Sequence, residues 1–190
     1  MVRWEPGASD RLQEAALELF EERGYDATTV ADIAERAGLT KRTFFRYFAD
    51  KREVLFADPG PLYSYATSAV AEADPTLTPV EAMNAALAEI GEQLARIADQ
   101  PNRRRAVIAA SPELREREQH KMADLTQAVI TGLEQRGLGA TEADLVARLG
   151  LAVFASAWNR WVEQGGAESY AAIFGGLLDT VRTLPGLVGR

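Results

Sequence analysis

Cysteine is absent from the 190 residues, and histidine occurs once, at position 120. There is thus no disulfide framework, no thiolate nucleophile and no zinc site built on sulfur. Long apolar runs are also missing. Nothing approaches the ~18 consecutive apolar residues of a membrane span, and the opening residues 1–10 lack the apolar stretch of an export signal. A cytoplasmic protein that does not use a membrane is expected. Strand-like alternation, low-complexity tracts and internal repeats are absent too. No glycine-rich phosphate loop, Gly-x-Ser-x-Gly elbow or His-Glu-x-x-His motif occurs, so no catalytic residue and no cofactor are assigned. His120 has Glu116 and Asp124 four residues to either side, a spacing able to hold a metal or an acid–base pair. The densely charged run 115–124 reads better as a solvated helix face, and no metal ligand is assigned there.

What is present is an ordinary globular composition, 47% hydrophobic and 26% charged, with a net charge of −7. Against that acidic background, residues 41–52 hold five bases (Lys41, Arg42, Arg46, Lys51, Arg52) and one acid, Asp50. The net charge speaks against non-specific nucleic-acid binding by the whole surface, but a local basic patch sets its own field.

The basic run lies in the most patterned part of the chain. Thr29 is placed to cap a helix, with Asp32 as the capping-box acid. Val30, Ile33, Ala34 and Ala37 then form one apolar face. Gly38 suits a helix end with positive φ, and Thr40 caps a second helix, Lys41–Phe48. Phe44 and Phe48 lie four apart and point one way, with Phe44 expected in the small core. That leaves Lys41, Arg42, Thr43, Phe45, Arg46 and Tyr47 facing outward or sideways, a surface suited to the edges and thymine methyls of a major groove. Helix, tight turn and helix make a helix-turn-helix. An earlier helix, capped by Ser9 and ending at Arg23 before Gly24, offers Leu12, Ala15, Ala16, Leu19 and Phe20 to cover it. Residues 1–8 read as a loose arm, in which a minor-groove role for Arg3 is the lesser possibility.

From Ala16 to Phe56 these residues resemble the TetR family of bacterial transcriptional regulators. The likeness rests on Leu19-Phe20 before Gly24-Tyr25, Thr28-Thr29-Val30, Ile33-Ala34, Ala37-Gly38-Leu39-Thr40, the aromatic run Phe44–Phe48, and Lys51 with Leu55. It implies base contacts by Lys41, Arg42 and Thr43 and phosphate contacts by Thr29, Tyr47 and Lys51. Thr40, Phe45 and Arg46 complete the expected DNA-binding set. It also implies a homodimer on palindromic operator DNA.

Beyond Phe56 the chain carries only helix signals: a short helix Lys51–Ala57, a break at Asp58-Pro59-Gly60-Pro61, and a helix Leu62–Ala73. Thr78-Pro79-Val80-Glu81 combines a cap, a proline at the first helical position and a capping-box acid, opening a helix to Ala98. Further helices are expected over Asn102–Ala110, from Ser111-Pro112 to Gly137, from Thr141 to Gly165-Gly166, and over Ala167–Leu184. Between Leu145 and Trp161 apolar residues occur on nearly every side, the pattern of a helix buried all round. One face should meet its own domain and the other a second subunit. Tyr170, Ile173, Phe174, Leu177 and Leu178 repeat the case.

Met83, Leu87, Met122, Phe154 and Trp158 come from different helices and are candidates to line an apolar ligand cavity. Arg103–Arg105, Ser111–Leu114, Gln135–Gly137 and Trp158 with Trp161 are similar to the family branch with an acyl-CoA-like ligand domain. That likeness implies a small hydrophobic ligand, an acyl-CoA being one candidate, with Arg103 and its neighbours meeting phosphates.

The expected fold is thus all-α with about nine helices: a three-helix DNA-binding head over 1–50 and a larger helical ligand-binding and dimerisation body over 51–190. The expected function is that of a ligand-responsive repressor. A ligand-independent DNA-binding activator or architectural protein is the alternative, followed by a helical enzyme or interaction module that keeps the head.

Overall fold

The computed structural model describes residues 7–56, 60–98 and 100–184. Among them it forms nine α-helices and one 3-10 turn. These are α1 (Ala8–Arg23), α2 (Val30–Arg36), α3 (Lys41–Tyr47), the turn Arg52–Leu55, α4 (Gly60–Ala71), α5 (Pro79–Ile97), α6 (Pro101–Ala110), α7 (Pro112–Gln135), α8 (Ala140–Glu163) and α9 (Tyr170–Thr183). Residues 1–6, which include Arg3, lie outside the described residues, as do 57–59 and 185–190.

The local signals act as their chemistry requires. Thr29 accepts from the Asp32 N–H while the Asp32 carboxylate accepts from the Thr29 N–H at 2.8 Å, a complete capping box. Thr78 and Glu81 repeat it at the start of α5. α2 ends at Gly38, φ 66°, with Leu39 N–H bonded to the Ala34 carbonyl and Gly38 N–H to that of Glu35. This six-to-one and five-to-two pairing needs a left-handed residue, which glycine supplies without strain.

Several boundaries differ from expectation. α1 is capped by Gly7, with the Asp10 carboxylate accepting the Gly7 N–H at 3.1 Å, and Ser9 lies inside the helix. Of the expected helix Lys51–Ala57, residues Arg52–Leu55 form a single 3-10 turn, at whose start Asp50 accepts the N–H groups of Arg52 and Glu53, and Ala57 lies outside the described residues. Pro61 lies in the first turn of α4 rather than breaking it. In a first turn its missing N–H has no intrahelical partner to lose. α8 starts after Gly139 rather than at Thr141. α9 starts after Ser169, whose hydroxyl accepts the Ala172 N–H at 3.2 Å.

The chain forms two compact units. The first comprises residues 1–59 and 103–120, and the second 60–102 and 121–190. The expected boundary at residue 50 therefore falls inside the first unit, which also takes in most of α6 and the start of α7. Its core joins Leu12, Ala16 and Phe20 of α1, Ile33 of α2 and Phe44 of α3 to Val54, Leu55, Val107, Ile108 and Leu114. Arg104 donates from Nε to the Leu55 carbonyl at 2.8 Å and lies over the Phe56 ring. Arg117 pairs with Glu53.

In the second unit α5 packs against α4, α8 and α9. Small residues set the approach: a Cβ on Gly91 would lie 1.9 Å from Tyr170, and one on Gly150 2.6 Å from Met83. Arg136, the residue after α7, donates to the carbonyls of Ala73 and Leu77, each at 2.8 Å, just past the end of α4. Burial within the single chain divides α8 into two faces. Ala143, Ala147, Leu151, Phe154 and Ala157 are buried, whereas Leu145 and Leu149 are 59% and 60% exposed. In α9, Phe174 is 1% exposed and belongs to the unit's own core. Among the described residues no helix is long and apolar enough to cross a membrane.

Candidate nucleic-acid interface

α3 is held by its inward face. Phe44 is fully buried, and Phe48 lies 5.4 Å from it, centroid to centroid. Thr40 caps the helix, accepting from the Thr43 N–H at 3.1 Å, with the two hydroxyls 3.0 Å apart. The outward face carries Lys41, Arg42, Phe45, Arg46 and Tyr47, all exposed, with Thr43 half-buried beside them. Phe45 is 56% exposed, yet its ring stands edge-on to the buried Phe44 at 5.5 Å. Thr40, Arg42, Thr43, Phe45 and Arg46 line one shallow concavity.

Several arginines near this face are paired with acids. Arg23 pairs with Asp32, Arg36 with Glu18 and Glu22, Arg52 with Asp50, and Arg103 with Glu14 and Glu21. Hydrogen bonds from these arginines hold the carboxyls of Glu21, Glu22 and Asp50 below the usual range. The carboxyl of Asp32 is lowered first by the Thr29 N–H and hydroxyl. Lys41, Arg42 and Arg46 have no acid partner among the described residues. Arg46 instead donates to the Tyr47 hydroxyl at 3.1 Å, its guanidinium 4.9 Å from that ring's centre. Of the five bases counted in the sequence, three therefore keep unneutralised charge on one helix face.

Two of the residues expected at phosphates make bonds within the protein. The Thr29 hydroxyl proton goes to Asp32 at 2.7 Å, so that side chain caps α2. Lys51 turns inward and donates to the carbonyls of Tyr25 and Thr28.

Of the expected ligand residues, Met83, Leu87 and Phe154 are buried in the core of the second unit, and Met122 and Trp158 pack against it. Arg103 is a correction: it lies in the first unit, donating to Glu21 at 2.9 Å and to Glu14 at 3.1 Å. Two carboxylates take up its charge, so it is not grouped with the apolar candidates. His120, Glu116 and Asp124 are each exposed, and among the described residues no three acidic or histidine side chains converge as a metal site. Sequence reasoning missed the contacts of Arg104, Arg117 and Arg136. Each binds a group far away in the chain, and no local pattern announces such a partner.

Comparison with known proteins gives two family matches, the second of which spans residues of both units. Residues 12–57 match the family described as bacterial regulatory proteins, tetR family, and residues 77–184 match the MftR C-terminal domain. The chain is 56% identical over 45 residues to the HTH-type transcriptional regulator TcmR of Streptomyces glaucescens, covering 24% of this chain and 20% of that protein. It is 27% identical over 154 residues to MftR of Mycobacterium tuberculosis, a protein named for transcriptional regulation of mycofactocin biosynthesis. That match covers 80% of this chain and 78% of the relative. The fold is similar to that of SmeT of Stenotrophomonas maltophilia in its triclosan complex, with a TM-score of 0.60 at 19% identity over 96% of this chain and 94% of that one. With its C-terminal match alone extending over more than half of its length, the chain belongs to the TetR family of DNA-binding transcriptional regulators, in the group with an MftR-type C-terminal domain.

Proposed function

We propose that the chain is a homodimeric, ligand-responsive repressor whose α3 enters the major groove of a palindromic operator. The observation that carries the DNA reading is the outward face of α3, where Lys41, Arg42 and Arg46 stand exposed without acid partners while the neighbouring arginines are neutralised. Lys41, Arg42 and Thr43 are assigned to base edges, Phe45 to apolar contact, and Arg46 and Tyr47 to the flanking backbone. Thr29 and Thr40 hold the two helices through their caps. The DNA-binding role is assigned to the unit built on residues 1–50 and the ligand and dimer roles to the remainder. The exposed Leu145 and Leu149 of α8 form the dimer surface, since apolar side chains of this size gain by leaving water.

The ligand reading rests on the apolar set Met83, Leu87, Met122, Phe154 and Trp158, which lies within one unit. Met83 is a flexible thioether able to shift for a guest. Such a ligand relieves repression only by binding the DNA-incompetent state better than the competent one. An acyl-CoA is the finer proposal, held by its chain, because Arg103 is already paired.

Selection of random duplexes followed by footprinting tests the function. Two half-sites about 34–36 Å apart, one helical repeat or a multiple of it, are expected; failure to enrich any sequence refutes it. Titration of Trp158 and Trp161 fluorescence with acyl-CoAs and the matching free acids tests the ligand. Binding of neither series refutes the acyl reading.

A further inference from the structure

Lys51 sits where a phosphate ligand is expected, but its surroundings give it another task. Its ammonium donates to the Tyr25 carbonyl at 2.7 Å and to the Thr28 carbonyl at 3.0 Å, and lies 3.8 Å from the centre of the Tyr25 ring. Two of its three protons are thereby committed, and an aromatic face takes up much of the remaining charge. Burial lowers its pKa below the ordinary lysine value, as expected of an ammonium drawn away from water. Lys41 and Arg42, by contrast, are fully at the surface.

The two carbonyls belong to the turn that launches α2. Thr28 N–H bonds to the Tyr25 carbonyl at 3.2 Å. The buried Thr28 hydroxyl lies 2.8 Å from the Gly24 carbonyl and 3.3 Å from that of Leu19. The next residue, Thr29, caps α2, and the Gly38 turn carries α2 into α3. We propose that Lys51 is a positioning residue for DNA reading: it ties the turn after α3 to the turn before α2 and so sets the attitude of the helix pair, rather than neutralising a phosphate. This rests on the DNA-binding role of α3 proposed above.

The two roles differ in what they do to binding. A phosphate ligand contributes to all sequences alike, and its loss lowers the slope of log affinity against log salt by about 0.9. A positioning residue leaves that slope alone and acts on discrimination, because misaligned base contacts are lost while backbone attraction remains. The experiment uses the full chain, the duplex most enriched by in vitro selection with the unmodified protein, and a scrambled duplex. Lys51→Met is measured at a temperature where circular dichroism shows it fully folded.

The expected result is a loss of about tenfold on the selected duplex, within the range of one lost base contact, less than twofold on the scrambled one, and an unchanged salt slope. Tyr25→Leu, which removes the ring beneath the ammonium, is expected to shift discrimination in the same direction and serves alone if Lys51→Met does not fold. Equal losses on both duplexes with a slope lower by about 0.9 overturn the proposal in favour of a phosphate contact. Unchanged discrimination in the folded variants overturns it in favour of a purely structural lysine. If the unmodified protein enriches no duplex, it is the DNA-binding reading that fails.

Discussion

Gly91→Ala is the substitution whose outcome the packing dictates most directly. On an isolated helix it would stabilise α5 by about 0.8–1 kcal/mol, since alanine is the better helix former. In this protein the added methyl carbon falls 1.9 Å from Cε1 and 2.3 Å from Cδ1 of Tyr170, far inside the ~3.5 Å at which carbon atoms pack. Tyr170 has little room to retreat. It is fully buried, lies 5.4 Å from the Phe154 ring and 6.1 Å from that of Phe174, and donates its hydroxyl to the Phe154 carbonyl at 2.9 Å. Overpacking of this kind costs about 1–3 kcal/mol. A hydroxyl moved off the Phe154 carbonyl costs roughly another 1–3 kcal/mol. Set against the helical gain, the net loss is about 1–5 kcal/mol, or roughly 2–20 °C in Tm for a chain of this size. Urea unfolding followed by the fluorescence of Trp158 and Trp161, which lie in the same unit, measures it. A Gly91→Ala protein as stable as the unmodified one, or more so, refutes the close approach of α5 and α9.

Arg42→Ala is expected to cost about 1–3 kcal/mol on the selected duplex and to relax preference at one base pair; an unchanged footprint and affinity removes Arg42 from the readout. The two faces of the α8–α9 pair should respond oppositely to a glutamate. Leu149→Glu, on an exposed position, should keep the helical circular dichroism and sediment as a monomer. Phe174→Glu buries a charge and should lose the fold instead. Hydrogen bonds from the Thr29 N–H and hydroxyl, with Arg23 nearby, hold the Asp32 carboxyl below its ordinary 3.8. A depressed carboxyl stabilises the folded state above the unfolded value and loses that contribution as pH falls through the folded one. Asp32→Asn should therefore flatten the fall in stability below pH 3.8, as followed by acid titration of the helical signal.

Much of the DNA-reading element is legible in the sequence because its determinants are local. Thr29 and Asp32, Ala34 and Leu39, and Thr40 and Thr43 bond partners at most five residues away. A cap or a glycine turn carries the same meaning wherever the chain goes next. The outward face of α3 follows from helical period alone once Phe44 and Phe48 face inward. Periodicity also shows that α8 and α9 bury apolar surface, but not against what. Only packing assigns Phe174 to the core and leaves Leu145 and Leu149 exposed.

The long cations were the least legible. Arg103 reaches Glu21 and Glu14, 82 and 89 positions away. Lys51 turns back to carbonyls 23 and 26 positions earlier. A lysine or arginine has a flexible stem and a charge that suits a phosphate, a carboxylate, a carbonyl or a ring equally well. The sequence by itself determined most of the helices and which face of α3 is polar. Tertiary structure alone decided which charges were neutralised and which remained, because that depends on groups brought together only when distant segments pack.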